Sequence, residues 1–342
     1  MIEDNRNRTI VVTGASGNVG TGVLRALAEQ HPDAHVVGVC RRPPADAHHD
    51  VDWRVVDLGS PSAAADLGPV LRGADAVVHL GWAIQPVRDE EQLDRVNIDG
   101  TRALLRAMVA EGVDQLVYAS SLGVYAPGAT DPVDERWPDS GQRTSVYSRQ
   151  KVVIERMLDH FEHENPGVAV ARIRPTLVVQ RDAATEIRTL FLGPLVPRPA
   201  LALLRDGALP VLPLPAGLAL QFVHADDVGD AVVRILDRRA VGSFNLAADA
   251  LDIDELAALL GARAVPVPPG SVRAAVVALH AAHAVPVSPG WYDVAMNTPV
   301  MNTARARNEL GWVPRYSSTQ GAQELLEGLA TGAVGPTAAM GA

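Results

Sequence analysis

Thr13-Gly14-Ala15-Ser16-Gly17-Asn18-Val19-Gly20 follows the apolar run Ile10-Val11-Val12 and leads into Val23, Leu24, Leu27 and Ala28, apolar positions at helical spacing. The order is strand, tight turn, helix. Glycines let a backbone turn sharply and come close to a bound group, and the exposed N–H groups and positive end of the next helix attract a diphosphate. The stretch therefore predicts a nucleotide-binding turn built from Gly14, Gly17, Asn18, Val19 and Gly20. Its G-x-x-G-x-x-G spacing is not the usual G-x-G-x-x-G fingerprint, so the reading rests on its place at the first strand of the chain.

Working outward, apolar and β-branched runs recur at Ile10–Val12, His35–Val39, Trp53–Val56, Ala76–Leu80, Gln115–Ala119 and Val168–Ile173. Helical patterns over Thr21–Gln30, Ala64–Leu71, Glu91–Glu111 and Val146–Glu164 lie between them. This alternation predicts an α/β fold, a Rossmann-type doubly wound parallel sheet covered on both faces, with right-handed crossovers. After Arg174-Pro175 the texture changes, and Pro and Leu dominate residues 190–220. The predicted organisation is a dinucleotide-binding domain over residues 1–180, to which 221–247 return. A smaller C-terminal substrate-binding region takes 181–220 and 248–330, with helices over Ile253–Leu260, Val272–Ala282 and Gln323–Leu329. Gln221–His224 reads as a short strand running into a helix capped by Asp226 or Asp227, and Gly242–Leu246 as a further strand. Residues 331–342 are rich in Ala, Gly and Pro and predict a flexible tail.

Composition narrows the partners. A chain of 342 residues with 47% hydrophobic content can bury a sizeable core. The net charge is −10 and no Lys/Arg block occurs, so nucleic acid lacks its electrostatic footprint. One cysteine, Cys40, excludes an internal disulfide and a Cys-based metal cluster and suits a reducing, cytoplasmic setting. His48-His49-Asp50 reads as a solvated loop, and no metal is expected. The N-terminus is polar and acidic, unlike a secretion signal, and prolines and arginines interrupt the most apolar region, Leu195–Val223, so no membrane span is expected.

Tyr147 and Lys151 stand four apart in a helical segment and share one face. A nearby ammonium stabilises a phenolate, which would let Tyr147 exchange a proton with a carbonyl or alcohol oxygen. The pair taken alone also suits a half-buried tyrosine beside a solvated lysine. Ser120 and Ser121 follow the strand Gln115–Ala119, at the sheet edge where open α/β folds bind ligands. One of these hydroxyls can donate to an oxygen gaining negative charge, and Ser120 suits a turn-capping role.

Taken together, Thr13-Gly14-x-x-Gly17-x-x-Gly20, Asp57-Leu58, His79-Leu80-Gly81-Trp82, Asn97-Ile98-Asp99-Gly100-Thr101, Ser120-Ser121-x-x-Val124-Tyr125 and Tyr147-x-x-x-Lys151 form a series that continues with Arg174-Pro175, Phe222–Val228 and Leu310-Gly311-Trp312-x-Pro314. In this order, from residue 9 to about 330, the chain resembles the extended short-chain dehydrogenase/reductase superfamily, which includes the NAD-dependent epimerase/dehydratases. The resemblance implies that Tyr147 is the general acid/base, that Lys151 lowers its pKa and binds the nicotinamide ribose, and that Ser121 polarises the substrate oxygen. It also places Asp57 and Leu58 at the adenine, and Leu80, Gly81, Asn97 and Thr176 in the cofactor pocket. His79 and His224 are read as structural.

An acidic residue at the end of the second strand would bind the ribose 2′-hydroxyl of NAD; here Cys40-Arg41-Arg42 stands instead, and arginine favours the phosphate of NADP. Asp46 and Asp50 can neutralise these arginines, which keeps NAD open. The chain departs from the family at Val179-Gln180, where a glycine is common, and at Pro175-Thr176-Leu177, which resembles reductases and steroid-type dehydrogenases more than nucleotide-sugar enzymes. The leading expectation is an NAD(P)-dependent oxidoreductase acting on a small, weakly polar carbonyl or alcohol. A nucleotide-sugar epimerase/dehydratase and a non-catalytic NADP-sensing regulator are the alternatives. Related folds dimerise through two helices, for which Glu91–Glu111 and Val146–Glu164 are suitable, so a homodimer is compatible.

Overall fold

The computed structural model describes residues 8–44, 50–84, 89–192, 209–285, 287–335 and 337–341. Its strands are β1 (Thr9–Thr13), β2 (His35–Cys40), β3 (Val51–Val55), β4 (Ala76–His79), β5 (Gln115–Ala119), β6 (Ala169–Pro175), β7 (Leu177–Val179), β8 (Val211–Pro215), β9 (Leu220–His224), β10 (Gly242–Leu246), β11 (Ala250–Leu251) and β12 (Arg263–Val267). Seven of them form one all-parallel sheet in the order β10-β6-β5-β4-β1-β2-β3. The strand order reverses between β1 and β4, which opens the crevice where such sheets bind ligands.

The central strands are apolar throughout because both faces are covered. Ile10, Val11, Val12, Ala76, Val77 and Val78 are fully buried. On one face α1 (Asn18–Gln30) and the helix Ala225–Arg238 pack Val23, Leu27, Val228 and Val232 onto Ile10, Val12 and Val78. On the other, α2 (Ala63–Leu71), α4 (Gly100–Glu111) and α5 (Val146–Glu164) bring Leu67, Leu104, Met108, Ile154 and Leu158 against Val11, Val77 and Leu116. The long helix expected over Glu91–Glu111 is not continuous. After α3 (Glu90–Asp94), a π turn spans Arg95–Asp99, where the Gly100 N–H reaches back to Arg95 O. That turn holds Asn97, which is fully buried.

Three further expectations are corrected. Only β10 of the returning segment joins the central sheet; β9 pairs with β7 and β11 in a separate three-stranded sheet, because Arg174-Pro175 ends β6 and redirects the chain into β7. His224, not Asp226 or Asp227, caps the following helix, its ring nitrogen accepting from Asp226 N; Asp227 turns away to accept from Arg315 N and Tyr316 N. The tail is ordered over residues 337–341. Thr337 Oγ1 donates to Ser16 O at 2.5 Å, Ala338–Gly341 is helical, and Met340 is fully buried with its sulfur 3.7 Å from the Thr21 hydroxyl. One methionine with a pocket to fill holds a segment that small residues alone would leave loose.

The smaller region contains the parallel pair β8–β12 and the helices Ile253–Ala258, Pro269–Ala281, Pro289–Asn297 and Ser318–Thr331. Residues 193–208, in the proline-rich stretch, lie outside the described residues. Among the described residues no helix is long and apolar enough to cross a membrane.

Candidate active site

A cavity of about 1030 Å³ runs along the C-terminal ends of β1, β2, β4, β5 and β6 and is closed by helices of the smaller region. Gly14, Gly17, Asn18, Val19, Gly20, Arg41, Arg42, Asp57, Leu58, Leu80, Gly81, Ser121, Tyr147, Lys151 and Thr176 all line it. Asn97 does not. It sits behind the wall, where its side-chain oxygen accepts from Ala83 N at 2.7 Å and its amide donates to Ala83 O and to Gln150 Oε1, both at 2.9 Å. Its placement in the pocket is thus corrected to a brace for the segment after β4, made possible by the π turn that aims it inward.

The glycine turn is shaped for two different reasons. Gly14 has φ +69°, and a Cβ there would lie 2.7 Å from Gly81 N, so this glycine lets the first turn cross the end of β4. A Cβ on Gly17 would make only an ordinary contact, 3.4 Å from Gly14 O. Protein packing does not demand that glycine, and its bare side lines the cavity. Gly17 also provides no side-chain cap to α1, whose first turn carries no acidic residue. Unpaired N–H groups at a helix start without a competing carboxylate fit a diphosphate. Gln180, standing where a glycine is common, ties the loop down: its amide donates to Asn18 Oδ1 at 2.8 Å and to Thr21 Oγ1 at 3.0 Å, while Asn18 donates to Val178 O at 2.8 Å.

At the opposite wall the directional chain around His79 fixes Gly81. Thr101 Oγ1 donates to Asn97 O at 2.6 Å and so accepts from His79 Nε2 at 3.0 Å. His79 Nδ1 then accepts from Thr13 Oγ1 at 2.6 Å, and that oxygen takes the Gly81 N–H at 3.2 Å. Burial, with the Lys151 charge second, pushes the His79 pKa down to about 3, so the ring is neutral as the chain requires. Arg41 and Arg42 are exposed, and no described residue pairs with either. Asp50 forms no ion pair with them, and Asp46, like His48 and His49, lies outside the described residues. Asp57 is exposed and accepts from Gly59 N at 2.9 Å, while Leu58 is buried. Among the described residues no three metal-ligating side chains cluster.

The chemistry-bearing face belongs to α5, which Ser145 caps by accepting from Ser148 N. Tyr147 lies edge-on to Trp82 (centroids 5.8 Å apart, 80°) and 4.6 Å from the Trp291 ring, with Gly123 beneath it. Burial pushes its phenol up to about 12, and a hydrogen bond with the Ser121 hydroxyl pulls the other way. Ser121 Oγ in turn accepts from Gly123 N at 3.0 Å. The Lys151 ammonium makes no hydrogen bond to the Tyr147 phenol and stands 5.8 Å from its ring centre. It donates to Ala119 O at 2.6 Å and to Tyr118 OH at 3.3 Å and stands 3.5 Å over the Trp82 ring centre. Burial holds Lys151 well below the usual lysine range, opposed by the charge of Glu155.

Glu155 is a site-supporting residue that the sequence reading passed over, although it continues the spacing of Tyr147 and Lys151 on α5. Its buried carboxylate accepts from Arg174 Nε at 3.0 Å, pairs with Arg172 Nε at 3.1 Å and accepts from the Ser120 hydroxyl. Ser120 therefore serves this carboxylate and not a turn amide. Trp82, matched in the motif His79-Leu80-Gly81-Trp82 but given no role there, also lines the cavity, as do Trp291 and Glu186, which come from segments with no recognisable pattern.

An uncharacterised protein of Sinorhizobium fredii is 26% identical over 92% of this chain and 76% of its own length. An uncharacterised protein of Mycobacterium tuberculosis is 28% identical over 93% of this chain, which spans only 29% of that relative. A 3-beta-hydroxysteroid dehydrogenase of Mycolicibacterium neoaurum is 28% identical over 53% of this chain and 50% of its own. Two solved structures share the fold. The UDP-glucose-4-epimerase of Stenotrophomonas maltophila with bound NAD and formylated UDP-arabinopyranose has a TM-score of 0.69 and 22% identity, covering 95% of this chain and 98% of that one. The terminal R domain from the myxalamid PKS-NRPS biosynthetic pathway has a TM-score of 0.74 and 20% identity, covering 95% and 91%. The model of the NAD dependent epimerase/dehydratase family matches residues 10–247, and with the parallel sheet and glycine turn described above, the chain belongs to that family.

Proposed function

We propose that this protein is an NADP-dependent oxidoreductase that moves a hydride between the nicotinamide and the carbonyl carbon of a weakly polar substrate. The observation that carries the reading is that Ser121 and Tyr147 stand together against Gly123, lining the cavity that also holds the glycine turn. Ser121 donates to the substrate oxygen as negative charge grows there, and Tyr147, protonated at neutral pH, delivers its proton to the same oxygen. The dinucleotide, when bound, supplies or takes the hydride. Lys151 offers its remaining N–H to a ribose hydroxyl. Arg41 and Arg42, paired with no described residue, suit the 2′-phosphate of NADP, and a guanidinium binds phosphate in two-pronged fashion. The buried single cysteine is in keeping with a cytoplasmic setting.

Apolar walls from Leu190, Val276, Leu325 and Leu329 support a substrate of low polarity. The epimerase reading, favoured by the solved neighbour that holds a UDP-sugar, needs cations for a second diphosphate. Among the described residues lining the cavity, the cations are Arg41, Arg42 and Lys151, and the walls from Pro175 onward carry no Lys or Arg. Absorbance at 340 nm, followed with NADPH or NADH over a panel of ketones and of UDP- and dTDP-sugars, tests this. Net NADPH oxidation with ketones is expected; conversion of a nucleotide sugar without net coenzyme loss would overturn it.

A further inference from the structure

We propose that Glu186 selects the substrate, its carboxyl group taking a hydrogen-bond donor, a hydroxyl or an ammonium, that the substrate carries apart from its reacting carbonyl. This rests on the oxidoreductase reading. Glu186 lies in the short helix α6 (Ala184–Ile187), and its carboxyl group enters the cavity wall. Its neighbours Ala183, Ala184 and Ile187 are buried against Leu325 and Leu329. Oε2 is shielded from solvent and has no hydrogen-bond partner.

The contrast with Glu155 is informative. That buried carboxylate holds two guanidiniums and a hydroxyl, as a buried charge should. The shielded Glu186 Oε2 has no hydrogen-bond partner among the described residues, so its position is unexplained by folding and costs stability. Charge along the cavity wall is carried by Arg41, Arg42, Asp57, Lys151 and Glu186. The first three follow β2 and β3 and Lys151 stands by Tyr147, which leaves Glu186 as the acidic group among the described residues Leu190, Val276, Leu325 and Leu326, where the other polar lining is the neutral Gln221, Tyr292 and Thr298. Burial raises its carboxyl to about 7. Near neutrality it can therefore accept from an ammonium or both accept from and donate to a hydroxyl. An anionic substrate group is disfavoured there.

The test uses the full chain with NADPH and three matched series, 2-alkanones of eight to twelve carbons and their ω-hydroxy and ω-amino counterparts; flexible chains let the polar end find its place. The wild type is expected to prefer a polar-ended ketone over the plain one at least tenfold in kcat/KM at some chain length. Glu186→Leu should abolish that ratio and raise Tm, since an unpartnered carboxyl is replaced by an apolar side chain. Glu186→Gln should keep the ratio for the hydroxy series and lose it for the amino series. The same ratio in Glu186→Leu, or no preference in the wild type, overturns the proposal. If no ketone is reduced at all, the oxidoreductase reading fails separately. Fluorescence titration of Trp82 and Trp291 with 10-hydroxy- or 10-amino-2-decanone against 2-decanone then still decides the role of Glu186, with equal Kd ratios in wild type and Glu186→Leu counting against it.

Discussion

The Lys151 ammonium stands 3.5 Å above the centre of the Trp82 ring, 5.8 Å from the ring centre of Tyr147. A desolvated cation over an indole is worth about 2 kcal/mol, so Trp82 fixes the position of the lysine that the proposed reaction sets against the ribose. Trp82→Leu is expected to lower kcat roughly tenfold, the rate equivalent of about 1.4 kcal/mol. Trp82→Phe should recover most of that loss. Steady-state ketone reduction by the two variants checks it; equal rates in both would remove Trp82 from the positioning of Lys151.

The two turn glycines should separate folding from binding. Gly14→Ala forces a side chain into left-handed backbone and 2.7 Å from Gly81 N, and is expected to lower Tm sharply or prevent folding. Gly17→Ala meets only Gly14 O at 3.4 Å, so Tm should hold while dinucleotide affinity falls at least tenfold. Thermal melts and coenzyme titrations distinguish them.

His79 gives the stability a pH dependence of known sign. Its folded pKa of about 3 lies below the unfolded value of about 6.5, so the unfolded chain binds the extra proton between those limits. This contribution is complete above pH 6.5 and is lost as pH falls towards 3, by up to about 1.4 kcal/mol per pH unit. Urea unfolding of wild type and His79→Asn from pH 7 to 5 should show the steeper loss in the wild type. Parallel slopes would contradict a neutral ring in the Thr13–His79–Thr101 chain.

Coenzyme choice should reside in Arg41 and Arg42. Charge-assisted hydrogen bonds to a phosphate contribute about 1.5–3 kcal/mol, so the double change to Ser is expected to weaken NADPH roughly tenfold to a hundredfold. NADH should change little. The ratio of their kcat/KM values measures this directly, and an unchanged ratio would place the selectivity elsewhere.

Much of this architecture is legible from short-range pattern. The inner strands β1, β2, β4 and β5 have the near-continuous apolar runs that a doubly covered sheet requires, whereas edge strand β3 intersperses Asp52 and Arg54, and Val146–Glu164 has the helical periodicity of α5. The glycine turn, Ser121, Tyr147 and Lys151 are likewise recognisable because backbone shape or proton chemistry confines them to few residue types. What the pattern hides is set by tertiary context. The π turn at Arg95–Asp99 leaves periodicity nearly intact while swinging Asn97 inward. The direction of the Lys151 ammonium depends on Trp82 and Ala119, which are distant in sequence, and the value of Glu186 depends on which groups fail to reach it. A tail of small residues gives no periodic signal, yet Met340 packs against the turn that begins the fold.

The central claim is that the Tyr147 hydroxyl donates the proton when hydride reaches the substrate carbon. Single-turnover NADPH oxidation with a reducible ketone, comparing wild type with Tyr147→Phe at saturating coenzyme, tests it most directly. General acid catalysis of this kind contributes roughly a hundredfold to ten-thousandfold, so a loss of that size with unchanged NADPH Kd is the predicted result. Equal single-turnover rates in the two proteins would contradict it.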